Sequence, residues 1–171
     1  MIHYGYIILP ASLLWVAIEN YLWHLGWFQK LFRTALNIPP DIRGRWEGTI
    51  LIDGVPEPHP FILEIHQTLT RMQVYTFSNH GRSKSESLFT TITSDEMEKN
   101  FVLSYMWQAD AGAIPEKNLP AAIFRGFTML NIYENATPKE LSGSYFTNRQ
   151  PQQTKGEIKL QLVSRKRKGK Q

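Results

Sequence analysis

Two short strings with polar residues at every second position are the strongest candidates for chemistry in this 171-residue chain. One is the serine ladder Ser83, Ser85 and Ser87; the other is Tyr145, Thr147 and Arg149, in the run that begins at Leu141. Successive side chains of an extended strand point to opposite faces, so each trio shares a face. If Leu141 points inward, Tyr145, Thr147 and Arg149 do too. Buried hydroxyls and a guanidinium need hydrogen-bond partners. A phosphate-bearing ligand supplies them, and arginine matches phosphate geometry. Trp46, Gln67 and Tyr105 fall on inner rows of other strands, where the aromatic rings can stack on bases. The candidate ligand-binding set is therefore Trp46, Gln67, Ser83, Ser85, Ser87, Tyr105, Tyr145, Thr147 and Arg149. Taken singly, each polar residue fits equally well with Arg149 in solvent at a strand end and the serines packed on one another. Their co-occurrence favours a ligand site.

Other chemistries find little footing. With no cysteine, neither a disulfide framework nor a thiolate metal site can form. His59, His66 and His80 lack metal-ligand spacing. Glu64 and His66 share a face that the alternation turns toward solvent. No phosphate-binding glycine-rich loop precedes a helix, and no nucleophile elbow is present. The expectation is a binding protein, not an enzyme, with no cofactor or metal. The net charge of +4 owes much to the tail residues Arg165, Lys166, Arg167, Lys168 and Lys170. Without them the domain is close to neutral, which argues against DNA or RNA as a partner.

The elements that must position these residues divide the chain into three. Residues 1–36 read as a transmembrane helix with an amphipathic extension, 37–165 as a β-barrel and 166–171 as a basic tail. Ile2 to Phe28 reaches the ~20 apolar residues of a span if Glu19 and Asn20 are tolerated within it. Lys30, Arg33, Arg43 and Arg45 come after the span, so the positive-inside rule predicts a single-pass protein of the bacterial inner membrane with its barrel in the cytoplasm. A carboxylate inside a bilayer is costly unless partnered, so Glu19 points either to helix association or to the headgroups. Asn37-Ile38-Pro39-Pro40 stops any helix. Period-2 runs then predict strands at Gly44–Asp53, Pro60–Leu69, Arg71–Ser78, Arg82–Thr93, Asn100–Gln108, Ile123–Tyr133, Leu141–Arg149 and Lys155–Arg165. About eight sequential strands predict an all-β fold, an up-and-down barrel or a sandwich, of which a small antiparallel barrel of lipocalin-like type is the expectation.

Arg43-Gly44-Arg45-Trp46-Glu47-Gly48, the string ILEIHQTLTRMQVYTFS, the ladder RSKSES and LSGSYFTNR followed by Gly156-Glu157-Ile158 resemble one known group. It is the membrane-anchored β-barrel effectors of bacterial CBASS, the cyclic-oligonucleotide anti-phage signalling systems. The resemblance runs from about Ile42 to Val163. It implies that the barrel binds a cyclic dinucleotide made by a partner nucleotidyltransferase, that the protein forms a homo-oligomer, and that the lipid bilayer is disrupted. Typical members carry two membrane helices before the barrel, whereas one is placed here. The readings set against this are a tethered lipocalin-like carrier or sensor of an apolar molecule, and a structural membrane protein with a protein-binding barrel. The polar inner rows favour the first reading, since an apolar ligand prefers an apolar cup.

Overall fold

A computed structural model describes residues 5–36, 38–78, 83–95, 100–109, 124–133, 135–137, 139–148 and 153–165. The chain divides into two units, residues 1–41 with Gln67–Arg71, and Ile42–His66 with Met72–Gln171.

The larger unit is built on eight strands. They are β1 (Gly44–Ile52), β2 (His59–Gln67), β3 (Met72–Ser78), β4 (Ser83–Asp95), β5 (Asn100–Ala109), β6 (Phe124–Tyr133), β7 (Glu140–Thr147) and β8 (Lys155–Ser164). Each lies beside its sequence neighbour and β1 closes on β8, giving a closed up-and-down barrel. Closure leaves no strand edge to pair with another chain. The turn after β1 uses Gly54 at φ 81, a left-handed conformation that glycine adopts without Cβ strain.

Alternation along the strands fills one end of the interior with apolar side chains. Trp46, Leu63, Leu103, Leu130, Leu141 and Leu160 are all almost fully buried there. The other end takes the buried hydroxyls of Thr76, Ser85, Ser87, Thr128 and Thr147. On the β1 and β2 side of that same end, Ile50 and Phe61 keep the interior apolar.

One strand departs from simple alternation. The β4–β5 register pairs Ser87 with Trp107 but Phe89 with Met106, so a bulge falls at Leu88. A bulge inserts one unpaired residue and re-aims the side chains beyond it. Ser85 and Ser87 point inward, whereas Phe89, expected on their face, is 59% exposed outside. Thr90 takes the next inward position, opposite Tyr105. On the outer face Phe89 pairs with Met106, Met106 with Phe127 and Phe127 with Phe146, an apolar row across four strands.

In the smaller unit the expected membrane helix finds no support. Among the described residues no helix is long and apolar enough to cross a membrane. The apolar stretch forms α1 (Gly5–Ala17), which runs directly into a π-helical turn at Ile18–Leu22, and a turn at 23–25 separates this from α2 (Gly26–Leu36). The change from α- to π-helical bonding takes in the polar pair Glu19-Asn20. Within this unit the Glu19 carboxylate accepts from the Thr68 and Thr70 hydroxyls at 2.5 and 2.7 Å, and its carbonyl from the Leu69 amide at 3.2 Å. Trp23, Phe28 and Ile38 form a small core against which Leu69 packs. Alternation predicts that β2 continues to Leu69, but residues 68–71 form a turn instead, with the Thr68 amide donating to the Arg71 carbonyl. Leu13, Leu14, Trp15 and Val16 of α1 and Trp27 and Leu31 of α2 remain exposed.

Candidate ligand-binding site

The polar end is assembled from two adjacent inward rows. Thr90, Tyr105, Thr128 and Tyr145 pair in sequence across β4 to β7. Ser87, Trp107, Gly126 and Thr147 form the next row toward the mouth. Thr76 and Ser85 pair across β3 and β4 and share a hydrogen bond between their hydroxyls.

Several of these hydroxyls already have work within the fold. Ser87 Oγ accepts from the Val74 amide at 2.9 Å, beside the bulge. Thr147 Oγ1 shares a 2.7 Å hydrogen bond with Thr154 Oγ1 and accepts from the Thr154 amide at 3.2 Å, which ties down the start of β8. The Trp107 indole donates to Thr128 Oγ1 at 3.0 Å.

Two groups stand apart. The Thr90 Oγ1 and Tyr105 hydroxyl oxygens are buried with no hydrogen-bond partner among the described residues. Burial pushes the Tyr105 phenol far above its ordinary range, opposed in part by the nearby Thr128 hydroxyl. That hydroxyl is engaged by Trp107 and makes no hydrogen bond of normal geometry to Tyr105. A buried polar group left unpaired costs about 1–3 kcal/mol, so these two oxygens mark where an incoming polar molecule gains most. Burial likewise raises the Tyr145 pKa, with the Asp53 charge adding to it. Both phenols are therefore neutral donors near neutral pH.

The mouth is charged, the interior is not. Lys84, Arg125 and Lys155 stand at the strand starts that ring this end, with Asp53 among them. Lys155 lies 3.6 Å from Asp53 in an exposed pair that contributes little. Among the described residues none of the buried polar side chains is charged.

The structure thus brings Ser85, Ser87, Tyr105, Tyr145 and Thr147 to one end. Trp46 and Gln67 are placed elsewhere. Trp46 is wholly buried at the apolar end and its indole N–H donates to the Ile42 carbonyl at 2.9 Å. Gln67 closes β2 and donates to the Pro40 carbonyl at 3.0 Å. The Ser83 side chain and Arg149 lie outside the described residues, as does the tail at 166–171. Sequence reasoning missed Thr76, Thr90, Trp107 and Thr128. Thr128 was legible from the period-2 row Gly126, Thr128, Leu130, Ile132; Thr90 was not, because only the bulge turns it inward.

A closed eight-stranded barrel with a hydroxyl-lined end is a general receptor shape, and comparison with family models makes it specific. Residues 37–162 match the model for the Cap15 cyclic dinucleotide receptor domain. The chain belongs to that family. The match spans β1 to β7 and nearly all of β8, so every row described above falls inside it. The Cap15 domain is a cyclic dinucleotide receptor of CBASS effectors, in line with the resemblance carried by the sequence motifs. No curated protein matches the chain.

Proposed function

We propose that this protein is a membrane-attached CBASS effector that holds a cyclic dinucleotide in the hydroxyl-lined end of its barrel. Binding drives self-association and disruption of the bacterial inner membrane, with no chemical step of its own. The observation that carries the reading is the coincidence of the Cap15 receptor match with a barrel end holding two buried oxygens, Thr90 Oγ1 and Tyr105 OH, that have no hydrogen-bond partner among the described residues. Neutral donors inside suit bases and sugar hydroxyls, while Lys84, Arg125 and Lys155 at the mouth favour approach of an anionic ligand. The exposed apolar side chains of α1 and α2 support attachment to the bilayer, and the outer row from Phe89 to Phe146 supports self-association. Attachment on the cytoplasmic face fits a ligand made inside the cell.

Calorimetry of the purified chain against cyclic di-AMP, cyclic di-GMP, cyclic GMP–AMP and cyclic di-UMP tests the reading. At least one should bind saturably, and binding of none would sink it. Tyr105→Phe sharpens the assignment. Removing a buried hydroxyl that lacks a partner should leave stability unchanged or raise it by up to about 1 kcal/mol. The same change should weaken cyclic dinucleotide binding about tenfold, from one hydrogen bond of ~1.4 kcal/mol. Equal binding by the variant would show that the ligand does not reach Tyr105.

A further inference from the structure

Resting on the reading above, we propose that Trp107 is the platform on which one base of the cyclic dinucleotide lies. The inner face of the barrel carries large aromatic side chains at three levels of β1 and β5, and they differ in exposure. Trp46 and Tyr105 are fully buried, as core fillers are. Trp107, one inward step from Tyr105 toward the mouth, stays partly uncovered although it packs on the same core.

Its orientation is set by three contacts. The indole N–H is tied to Thr128 Oγ1 at 3.0 Å. The ring meets Phe124 edge-on, with centroids 5.8 Å apart and planes at 81°. Across the strand pair lies Gly126, where a Cβ would collide with the indole atoms Cζ2 and Cε2. The ring therefore lies close against Gly126, in space that any larger residue there would fill. A side chain locked this way gives up little rotamer freedom when a ligand arrives, and preorganisation of that kind raises affinity. Aromatic rings stack on any base, because every base has a π-face. The hydroxyls of Thr128, Tyr105 and Thr147 flank the ring in the same two rows, placed to read the edge of a base lying on it.

The test uses the full chain in detergent and the four cyclic dinucleotides named above. Trp107→Ala should weaken the best binder by about tenfold to hundredfold, the usual loss for one stacked base. Trp107→Phe keeps a stacking face and should lose no more than about fivefold. Wild-type tryptophan fluorescence should be quenched by that ligand, and the quench should vanish in Trp107→Phe while calorimetry still records binding. That pair of readings decides the matter even if Trp107→Ala fails to fold. A quench that persists in Trp107→Phe overturns the platform, as does a folded Trp107→Ala that binds within about twofold of wild type. Binding by wild type with either of those results removes the platform alone. Absence of binding by wild type to all four removes the receptor reading as well.

Discussion

Trp46→Ala is expected to destabilise the barrel by about 3–5 kcal/mol, the range for emptying a buried aromatic site. The ring is wholly buried in the core that also holds Leu63, Leu103, Leu130, Leu141 and Leu160. Its loss removes that packing and leaves the Ile42 carbonyl without the indole N–H that reaches it at 2.9 Å. A domain of this size has only about 5–15 kcal/mol of stability, so urea unfolding should show a large fall in midpoint. Trp46→Phe keeps most of the apolar volume and should fold with a smaller loss. It should bind cyclic dinucleotide nearly as wild type does, because Trp46 lies at the end away from the hydroxyl rows. Abolished binding by a stable Trp46→Phe would return Trp46 to the ligand site, where its inward face alone would put it.

That displacement of Trp46 shows what a period-2 pattern conveys. Alternation says which face a residue occupies, and for Trp46, Tyr105, Tyr145 and Thr147 the inward assignment agrees with the structure. It does not say how far along the barrel axis the residue sits. Height depends on inter-strand register, as in Tyr105 opposite Thr128 and Thr128 opposite Tyr145. The eight strands were legible because each ran between clear turn signals, which left a barrel or a sandwich; the pairing of β1 with β8 is what closes the barrel. The bulge at Leu88 was not, since Ser-Leu-Phe carries no glycine or proline to announce it, and alternation alone puts Phe89 on the wrong face. In the N-terminal unit, hydrophobicity alone predicts one long helix. The run is interrupted by a turn at 23–25, and Glu19, in the π-helical turn before it, finds three hydrogen-bond donors in Thr68 and Thr70 that no sequence window could bring near it.

The outward turn of Phe89 leads to the prediction with the largest biological effect. Because of the bulge, Phe89 joins Met106, Phe127 and Phe146 in a row on the outer face, 59%, 41% and 49% exposed at Phe89, Met106 and Phe146. Phe127 and Phe146 touch, with centroids 5.8 Å apart. This row is contiguous across four strands, and a contiguous exposed apolar patch is the kind of surface that partners cover. Under the proposed mechanism a ligand promotes assembly only by binding the assembled form more tightly than the monomer. Barrels attached to one face of a bilayer meet at high effective concentration, which lets modest contacts suffice. Wild-type protein expressed with a source of its cyclic dinucleotide should depolarise the inner membrane and arrest growth; expressed alone it should be harmless. Replacing Phe89 and Phe146 together by Ser removes surface contacts only, so stability should change by no more than about 1 kcal/mol for the pair. The double variant should bind nucleotide as wild type does, yet stay monomeric by sedimentation when nucleotide is added, and cells co-expressing it should keep growing. A form lacking Met1 to Arg33 should likewise bind without toxicity, because the helices to which the proposed mechanism assigns bilayer contact are gone. Killing by the Ser double variant at wild-type strength would show that the outer row plays no part in assembly. Killing by the truncated form would show that membrane attachment is not how this effector acts.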